Sequence, residues 1–438
     1  MNKYELIVLG IAPAGEQAAL KAASLGCKVA IVEALQSEKP PPPPLHPGFH
    51  KEPTAALFRY QKNYLFEENA CEIKENLKRN GVDLYQGLAS FEDPHTLVIS
   101  GPRPQRLQGS YILIATGSSP YHPPEIPFDG KRIHDADSIL TLKKAPKSLC
   151  IAGAGVIGCE YTSLFSSLGT LVYLVNDAEK VLPQIDRELS SELLYQMKRA
   201  GVHLFLGTRV ERIENPEEAS RPLKIRLGTD VEIEAECFLF AAGRLGNTRT
   251  LKGERIGLKI QERDTIGVDA AYRSNIAHIY AVGDVIGFAS LAGTNRDQGA
   301  AAVSHIFRKN RAPHLPKAFP YALFTAPEIA LVGLSEEEAQ KENIDYSTGI
   351  ARYDEATRSK LMEEARGFLK IVFNRSTLGV LGIHIIGPLA SELIHYGVAL
   401  LENQKKLDHV AEDLFTYPSL HHLYKLAALD GIKNGLRR

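Results

Sequence analysis

Two short glycine motifs begin at Gly10 and Gly153 of this 438-residue chain. The first reads Gly10-Ile11-Ala12-Pro13-Ala14-Gly15, and the second reads Gly153-Ala154-Gly155-Val156-Ile157-Gly158. In a G-x-G-x-x-G motif the first glycine permits a tight turn, the second lets the backbone approach a pyrophosphate, and the third lets a helix pack on a strand. The positive end of that helix then faces the phosphates. Residue types and spacing therefore predict a dinucleotide site at each motif.

The second motif contains all three glycines, and an apolar strand pattern, Ser148–Ala152, precedes it. Asn176 ends the strand that follows, where an acidic residue is typical of NAD and a nearby arginine of NADP. An asparagine can bond a ribose hydroxyl without repelling a 2′-phosphate. Lys180 would assist a phosphate and Asp177 would oppose one, so the sequence leaves NAD and NADP both open.

The first motif is imperfect, because Ala12 occupies the middle glycine position. Its Cβ would intrude where the backbone and a pyrophosphate come closest, which would lower affinity. Strand patterns at Tyr4–Leu9 and Lys28–Glu33 flank a helical pattern at Glu16–Leu25, and together they predict one βαβ unit. Glu33 ends the second strand, where it can bond an adenosine ribose. A dinucleotide is therefore predicted here as well.

The five cysteines offer no redox pair. They are separated by 44, 79, 9 and 78 positions, and none has CxxC or CxxxxC spacing: Cys27, Cys71, Cys150, Cys159 and Cys237. Reduced and largely buried thiols are the interpretation typical of a cytosolic chain.

A run of five prolines, Pro40–Pro44, follows the first βαβ unit. Proline fixes φ and lacks an amide donor, so this segment must be extended, and a stiff surface loop is favoured over a docking ligand. His46 and His50 have the spacing of metal ligands on a helix, but Pro47 and Gly48 argue against a helix there. No metal site is predicted.

The overall charge is balanced, with 51 lysines and arginines against 52 aspartates and glutamates. This balance provides no general attraction to nucleic acid or to an anionic membrane. No apolar run approaches transmembrane length, and the N-terminal segment leads into a glycine turn rather than a cleavage site. A cytoplasmic protein is the expectation.

Three further motifs surround the second fingerprint in a specific order: Ala115-Thr116-Gly117-Ser118, Gly243-Arg244-x-x-Asn247 and Ala281-Val282-Gly283-Asp284. Together with the two fingerprints, this order resembles the class I pyridine nucleotide-disulfide oxidoreductases, the flavoprotein family of lipoamide dehydrogenase and glutathione reductase. The resemblance covers nearly the whole chain. It implies FAD at the first fingerprint, NAD(P) at the second, a bond from Asp284 to the flavin ribityl chain, and a homodimer formed through the last domain.

A narrower resemblance is to the soluble pyridine nucleotide transhydrogenase branch of that family. It rests on the segments 120–123, 137–140, 155–161 and 282–287, and on Tyr417-Pro418-Ser419, where disulfide reductases carry His-Pro. The FAD-binding residues that the resemblance implies are Gly10, Ala12, Gly15, Glu33, Thr116, Gly117 and Asp284. The NAD(P)-binding residues that it implies are Gly153, Gly155, Gly158, Asn176, Gly243 and Arg244.

The chain departs from the family pattern at the thiol chemistry. The segment where the family carries Cys-x4-Cys contains no cysteine here, and Ala55 aligns with the lysine that follows the pair. Tyr417 and His422 align with the C-terminal His-Glu pair that protonates a thiol. These losses exclude the disulfide half-reaction, because neither a thiolate nor its base remains. They leave hydride transfer between flavin and nicotinamide intact, because that step needs only stacked rings.

Three residues are candidates for catalysis, each with a simpler alternative. Glu160 lies where the family has its nicotinamide–flavin contact, or it is a surface glutamate of a helix. His422 is a candidate general acid, or an interface histidine. Tyr417 is a candidate by position, or a structural residue.

The predicted fold class is α/β, with two Rossmann-like nucleotide-binding domains, the first one split, and a C-terminal α+β dimerisation domain. The predicted ranges are 1–143 and 265–314 for the FAD domain, 144–264 for the NAD(P) domain, and 315–438 for dimerisation. The predicted function is flavin-dependent hydride transfer between NADPH and NAD⁺.

Two alternatives remain at the level of sequence. One keeps the flavin but uses oxygen, a quinone or a dye as the acceptor. The other is a non-catalytic nucleotide-binding relative that has lost flavin, because Ala12, the proline run and Ala55 all fall on the flavin side. Gly283-Asp284 argues against that loss, since these residues would have little purpose without a flavin.

Overall fold

A computed structural model describes residues 2–34, 69–101, 104–218, 221–287, 292–307, 319–362 and 366–435. The proline run, His46, His50 and Ala55 lie outside these residues, so the expectations placed on them remain predictions. The described residues form two compact units. The first lies within 2–121 and 243–307, and the second within 122–242 and 319–435. The four predicted domain ranges likewise stay a prediction.

The first strands in chain order are β1 Asn2–Leu9, β2 Val29–Glu33, β3 Asp83–Gln86, β4 Leu88–Asp93, β5 Thr96–Ser100, β6 Gln105–Ile114, β7 Ser118–Pro120, β8 Ile133–Asp135, β9 Ser148–Ala152, β10 Leu171–Asn176 and β11 His203–Leu206. The remaining strands are β12 Val210–Glu214, β13 Leu223–Leu227, β14 Glu232–Ala235, β15 Cys237–Phe240, β16 Arg244–Gly246, β17 Ile279–Ala281, β18 Tyr321–Leu323, β19 Ile329–Gly333, β20 Tyr346–Arg352, β21 Phe368–Asn374 and β22 Val380–Ile386.

The α-helices are α1 Pro13–Ser24, α2 Asn69–Arg79, α3 Val156–Ser167, α4 Arg187–Arg199, α5 Ala292–Phe307, α6 Glu336–Lys341, α7 Thr357–Lys360, α8 Ala390–Glu402, α9 Leu407–Glu412 and α10 His422–Gly435. Short 3-10 helices span Ser138–Thr141, Arg249–Leu251, Gly253–Ile256, Glu262–Asp264, Gly283–Ile286 and Tyr353–Glu355. No helix in the described part of the chain is long and apolar enough to cross a membrane.

The first unit is built on a seven-stranded sheet in the order β3-β2-β1-β6-β5-β4, with β17 also paired to β6. The pairs from β3 to β6, and the β6–β17 pair, are parallel, whereas β4, β5 and the N-terminal part of β6 form an antiparallel meander. The second half of β1, Leu6–Leu9, and the first four residues of β2 are all apolar and buried, as expected of parallel strands covered on both faces.

The second unit contains a five-stranded parallel sheet in the order β11-β10-β9-β15-β8 and a separate antiparallel sheet, β12-β13-β14. Helix α3 connects β9 to β10, which makes a second βαβ unit. The C-terminal part of the unit is an antiparallel sheet, β18-β19-β22-β21-β20, with α8 and α10 packed against it. These architectures confirm the predicted α/β fold class with its C-terminal α+β domain.

A buried cation joins the start of helix α4 to the C-terminal sheet of the second unit. Lys370 on β21 is 1% exposed, and its Nζ lies 2.5 Å from Asp186, 2.7 Å from Glu336 and 2.9 Å from Glu188. Burial opposes its charge, but the attraction of Asp186 and the hydrogen bonds to Asp186, Glu336 and Glu188 together outweigh burial and raise the pKa of Lys370. Asp186 also caps α4 by accepting the backbone N–H of Glu188. This network fixes the start of α4 against β21.

Candidate active site

The first fingerprint forms a strand–turn–helix unit in which two glycines are required by the protein itself. Gly10 has a φ of +111°, and a Cβ there would lie 2.2 Å from the carbonyl oxygen of Ala115. A Cβ on Gly15 would lie 1.9 Å from the carbonyl oxygen of Gly10. Both distances are impossible for real atoms, so these glycines let β1, β6 and α1 meet.

Ala12 adopts the turn without strain. It is exposed, with φ −57° and ψ 166°, and it is the N-cap of α1. Pro13 follows as the first helical residue and contributes no N–H, so one donor of this helix end is missing. The Cβ of Ala12 therefore costs nothing within the fold, and any penalty arises only against a bound phosphate.

Four neighbouring parallel strands in the first unit end at the residues predicted to hold FAD. Glu33 ends β2, Gly10 follows β1, Thr116 and Gly117 follow β6, and Asp284 follows β17. Because the carboxyl ends of parallel strands share one edge of a sheet, the structure brings these residues together. Nucleotides bind at this edge in open α/β sheets.

Unpaired polar atoms at this edge indicate a ligand. Thr116 Oγ1, Asn295 Oδ1 and Glu33 Oε2 are buried and have no hydrogen-bond partner among the described residues, although Glu33 Oε2 lies 3.1 Å from Lys74 Nζ. Buried polar atoms are normally satisfied, so these await a polar group that they can bond. A dinucleotide with ribose hydroxyls and phosphates provides such groups, and the donor set fits FAD.

Asp284 is held from both sides. Its Oδ1 accepts from Asn295 Nδ2 at 3.0 Å, and its Oδ2 accepts from Ser118 Oγ at 3.2 Å. Arg244, which the sequence placed at the NAD(P) site, donates from Nε to Ser118 Oγ at 2.8 Å and from Nη2 to the Ser118 carbonyl at 2.8 Å. The structure therefore groups Arg244 and Gly243 with the Thr116–Ser118 segment of the first unit.

In the second fingerprint the first and third glycines are again required, because a Cβ at either position would overlap the backbone. Gly153 has a φ of +108°, and its Cβ would lie 2.9 Å from the backbone of Ala241. A Cβ on Gly158 would lie 1.8 Å from the carbonyl oxygen of Gly153. Gly155 has a φ of −77°, and a Cβ there would meet open space. The space beside Gly155 is thus a cradle that a side chain would fill, which is what close approach of a pyrophosphate requires.

Asn176 is the last residue of β10, as predicted, but its side chain is engaged by the protein. Its Oδ1 accepts the N–H of Ala154 at 2.9 Å, while its Nδ2 donates to the carbonyls of Ala178 at 2.9 Å and Lys180 at 3.2 Å. The side chain therefore ties the fingerprint turn to the turn after β10.

Glu160 occupies the fifth position of α3 and is mostly buried. Its Oε1 accepts the backbone N–H of Phe324 at 2.9 Å, and no ion pair to it is found among the described residues. Burial raises the pKa of Glu160 to about 7, and the Phe324 bond opposes this only in part. The carboxyl thus titrates near neutral pH, which is typical of functional sites.

Tyr417 and His422 lie close together at the start of α10, with ring centroids 6.4 Å apart in an edge-to-face arrangement. Tyr417 is 71% exposed, and its hydroxyl bonds Thr357 Oγ1 at 2.8 Å. The neighbouring Leu414 is 95% exposed. An exposed leucine and tyrosine beside a histidine form an amphipathic surface suited to a partner subunit.

The described cysteines do not favour thiol chemistry. Cys27, Cys150, Cys159 and Cys237 are free, and the last three are buried. Burial raises the pKa of all four thiols, to about 11 for Cys237. A thiol with a raised pKa stays protonated at neutral pH and is a weak nucleophile.

Several residues that complete these sites were not singled out by the sequence. Gln298, 2% exposed, accepts the N–H of Gly283 at 2.8 Å, and Asn295 bonds Asp284. A Cβ on Gly299 would lie 2.1 Å from the carbonyl oxygen of Ala14, so this glycine lets α5 pack on α1. The only sequence signal for them is the cluster of small and amide residues in α5.

Comparison with known proteins gives matches along nearly the whole chain. Residues 4–305 match the family model of pyridine nucleotide-disulphide oxidoreductases, and residues 319–428 match the dimerisation-domain model of that family. The soluble pyridine nucleotide transhydrogenases of Colwellia psychrerythraea and Pectobacterium atrosepticum are 36% and 34% identical to the chain. The matches cover 98% of this chain and 98% and 97% of those proteins.

A solved structure has the same architecture. The crystal structure of LpdA from Mycobacterium tuberculosis superposes with a TM-score of 0.86 at 26% identity. That superposition covers 98% of this chain and 99% of LpdA. The likeness therefore extends over both nucleotide-binding sheets and the C-terminal sheet.

Proposed function

This chain belongs to the pyridine nucleotide-disulphide oxidoreductase family, and from that premise we propose that it is an FAD-dependent enzyme that transfers hydride between NADPH and NAD⁺. The observation that carries the proposal is the presence of two strand–turn–helix units, each with the first and third glycines of the fingerprint, in a chain without a redox cysteine pair. Two nucleotide sites and no thiol relay suit a reaction in which both substrates are nicotinamides.

The residues of the first unit hold FAD. The turn from Gly10 to Gly15 receives the pyrophosphate, and Glu33 accepts a hydrogen bond from the adenosine ribose. Asp284, fixed by Asn295 and Ser118, accepts from the ribityl hydroxyls. When bound, FAD supplies an acceptor of hydride from a reduced nicotinamide and a donor of hydride to an oxidised one.

The residues of the second unit hold the nicotinamide nucleotide. The open space beside Gly155 admits the pyrophosphate, and the free N–H groups at the start of α3 bind it. Both nicotinamides use this one site in turn, so the reaction is ping-pong. The role of the protein is to position the rings and to exclude competing acceptors.

Glu160, Tyr417 and His422 have supporting roles in this proposal. Glu160 holds a proton below about pH 7, so the charge next to the nicotinamide changes across the physiological range. Tyr417 and His422 are assigned in this proposal to the dimer surface, which is supported by their position within the dimerisation-domain match at 319–428 and by the exposure of Tyr417. The four cysteines whose side chains the structure describes have thiols with raised pKa values, which supports a function without thiol-disulfide reduction.

The test is a spectrum followed by a two-substrate assay. We expect the purified protein to show the absorbance of bound flavin, and we expect NADPH to bleach it under anaerobic conditions. Addition of thionicotinamide-NAD⁺ should then restore the flavin absorbance and form the reduced thionicotinamide nucleotide. Lipoamide and glutathione disulfide are the controls, and neither should restore it. If the reduced flavin reacts with oxygen or a quinone but not with thionicotinamide-NAD⁺, the protein is an oxidase or diaphorase and the proposed hydride transfer between nicotinamides is wrong. A protein that binds no flavin after incubation with FAD contradicts the proposal.

A further inference from the structure

We propose that the turn after β10 makes the nicotinamide site select NAD(H) over NADP(H), an inference that rests on the proposed function. The two nucleotides differ only at the 2′ position of the adenosine ribose, which carries a hydroxyl in NAD(H) and a phosphate in NADP(H). In a Rossmann unit this position is met by the residue at the end of the second strand. Here that residue is Asn176.

The orientation of the Asn176 amide is fixed by its partners. The group facing the N–H of Ala154 must be the oxygen, and the group facing the carbonyls of Ala178 and Lys180 must be the nitrogen. If the amide were flipped, its NH₂ group would face the N–H of Ala154 and its oxygen would face the two carbonyl oxygens, and no hydrogen bond could form. Both amide hydrogens are therefore directed at backbone carbonyls, at 2.9 and 3.2 Å.

The hydrogen-bonding capacity that Asn176 has left can serve a ribose hydroxyl but not a phosphate. One lone pair of Oδ1 is unused, and it can accept a hydrogen bond from the 2′-hydroxyl. A 2′-phosphate at neutral pH offers oxygens that need donors, and Asn176 could supply one only by releasing Ala178 or Lys180. The asparagine thus favours the unphosphorylated ribose through the bonds it already makes.

The charges of the turn act in the same direction. Asp177 and Glu179 are exposed, and Lys180 is the one cation between Asn176 and Leu182. Asp177 Oδ1 accepts the N–H of Ala178 at 2.8 Å, so its carboxylate is held on the turn. A Cβ on Gly207 would lie 3.5 Å from Glu179 Cγ, which places the Glu179 side chain over the end of β11. Two carboxylates against one ammonium repel a 2′-phosphate.

The experiment measures binding without catalysis. Isothermal titration of the oxidised holoenzyme with NAD⁺ and with NADP⁺ gives both dissociation constants, and no hydride can move because every partner is oxidised. We expect NAD⁺ to bind at least about tenfold more tightly than NADP⁺, since unmet donors and like charges both disfavour the phosphate. Equal or tighter binding of NADP⁺ overturns the inference.

Two variants with the same change of charge, one in the turn after β10 and one elsewhere, test whether the turn causes the selectivity. Glu179→Arg is expected to lower the NADP⁺ dissociation constant by about tenfold and to leave that of NAD⁺ within about twofold. Glu234→Arg makes the same charge change at an exposed position of β14 and should leave the dissociation constants of NAD⁺ and NADP⁺ unchanged. If Glu234→Arg changes the ratio of the two dissociation constants as much as Glu179→Arg does, the effect comes from net charge and the inference fails.

The outcomes separate this inference from the proposed function. Selective binding of NAD⁺ by a protein that transfers no hydride supports the inference and contradicts the proposed function. Equal binding of both nucleotides with active hydride transfer contradicts the inference alone. Absence of binding by either nucleotide contradicts both, because the second fingerprint would then not be a nicotinamide site.

Discussion

The two glycine turns have nearly the same backbone and different chemistry. Gly10 and Gly153 have φ values of +111° and +108°, and the Cβ positions of Gly15 and Gly158 fall 1.9 and 1.8 Å from a carbonyl oxygen. The first and third glycines are thus required by folding in both units. The middle position, Ala12 or Gly155, is unstrained in both.

This difference separates what the fold needs from what the ligand needs. At the first and third positions a Cβ meets the protein, so glycine there reports on the packing of strand and helix. At the middle position a Cβ meets open space beside Gly155, so glycine there reports on a ligand that comes close. We therefore expect Ala12 to leave the fold alone and to act only on the affinity for FAD.

The largest predicted effect tests the positions that folding requires. Gly15→Ala and Gly158→Ala should each destabilise the protein by about 3 kcal/mol or more, since each Cβ overlaps a carbonyl oxygen in a packed turn. Gly155→Ala is the matched control and should leave stability within about 0.5 kcal/mol. Urea unfolding followed by circular dichroism measures all three. A stable Gly158→Ala protein would break the comparison.

The next effect tests the fifth helical position, where α1 has Gln17 and α3 has Glu160. The raised pKa means that folded Glu160 keeps its proton up to about pH 7, while the unfolded chain releases it near 4.5. The contribution of Glu160 to the free energy of unfolding is therefore highest below pH 4.5 and falls as the pH rises to about 7, after which it is constant. Glu160→Gln removes this fall and makes the two helices alike.

The measurement is the free energy of unfolding as a function of pH. The advantage of Glu160→Gln over the parent should grow by up to about 3 kcal/mol between acid and mildly alkaline pH. Glu234→Gln on exposed β14 is the control and should show no such growth. A constant difference across pH would show that Glu160 ionises normally in the folded protein.

A third prediction exchanges the middle residues. Gly155→Ala should weaken NAD⁺ binding by about tenfold, or ~1.4 kcal/mol, and Ala12→Gly should strengthen FAD binding by several-fold, because each change adds or removes one Cβ beside a pyrophosphate. Titration of the nucleotides against each variant gives the dissociation constants. Unchanged affinities would mean that the phosphates do not approach these turns.

The comparison also shows how far the sequence could lead. The fingerprints, both βαβ units and the α+β character of the C-terminal domain were predicted from the sequence, and β9 has the predicted bounds, Ser148–Ala152. The placement of Glu33 and Asn176 at strand ends followed from the same patterns.

What the sequence missed depends on contacts between distant segments. Arg244 bonds Ser118 across 126 positions, and this contact ties it to the Thr116–Ser118 segment of the first unit, while its predicted part in NAD(P) binding stays a prediction. The bonds of Asn295 and Gln298 to Asp284 and Gly283 arise because α5 packs on α1 through Gly299, a contact that no local pattern encodes. Asn176 was correctly placed, but its side chain is committed to the backbone, and a residue type alone does not reveal its partners.

The smallest effect tests the strand ends, where Glu33 faces the first cradle and Asn176 the second. Glu33 Oε2 is buried and has no hydrogen-bond partner among the described residues, so it is available to a ribose hydroxyl, whereas Asn176 has already used its donors on the turn. Glu33→Gln replaces one of two carboxylate acceptors with an amide and should raise the FAD dissociation constant by about fivefold, or ~1 kcal/mol. Lys74, 3.1 Å from Glu33, complicates the result, because the variant also removes that ion pair. Lys74→Met removes the same ion pair and keeps the carboxylate, so an FAD affinity that falls in Glu33→Gln and not in Lys74→Met assigns the loss to the ribose contact.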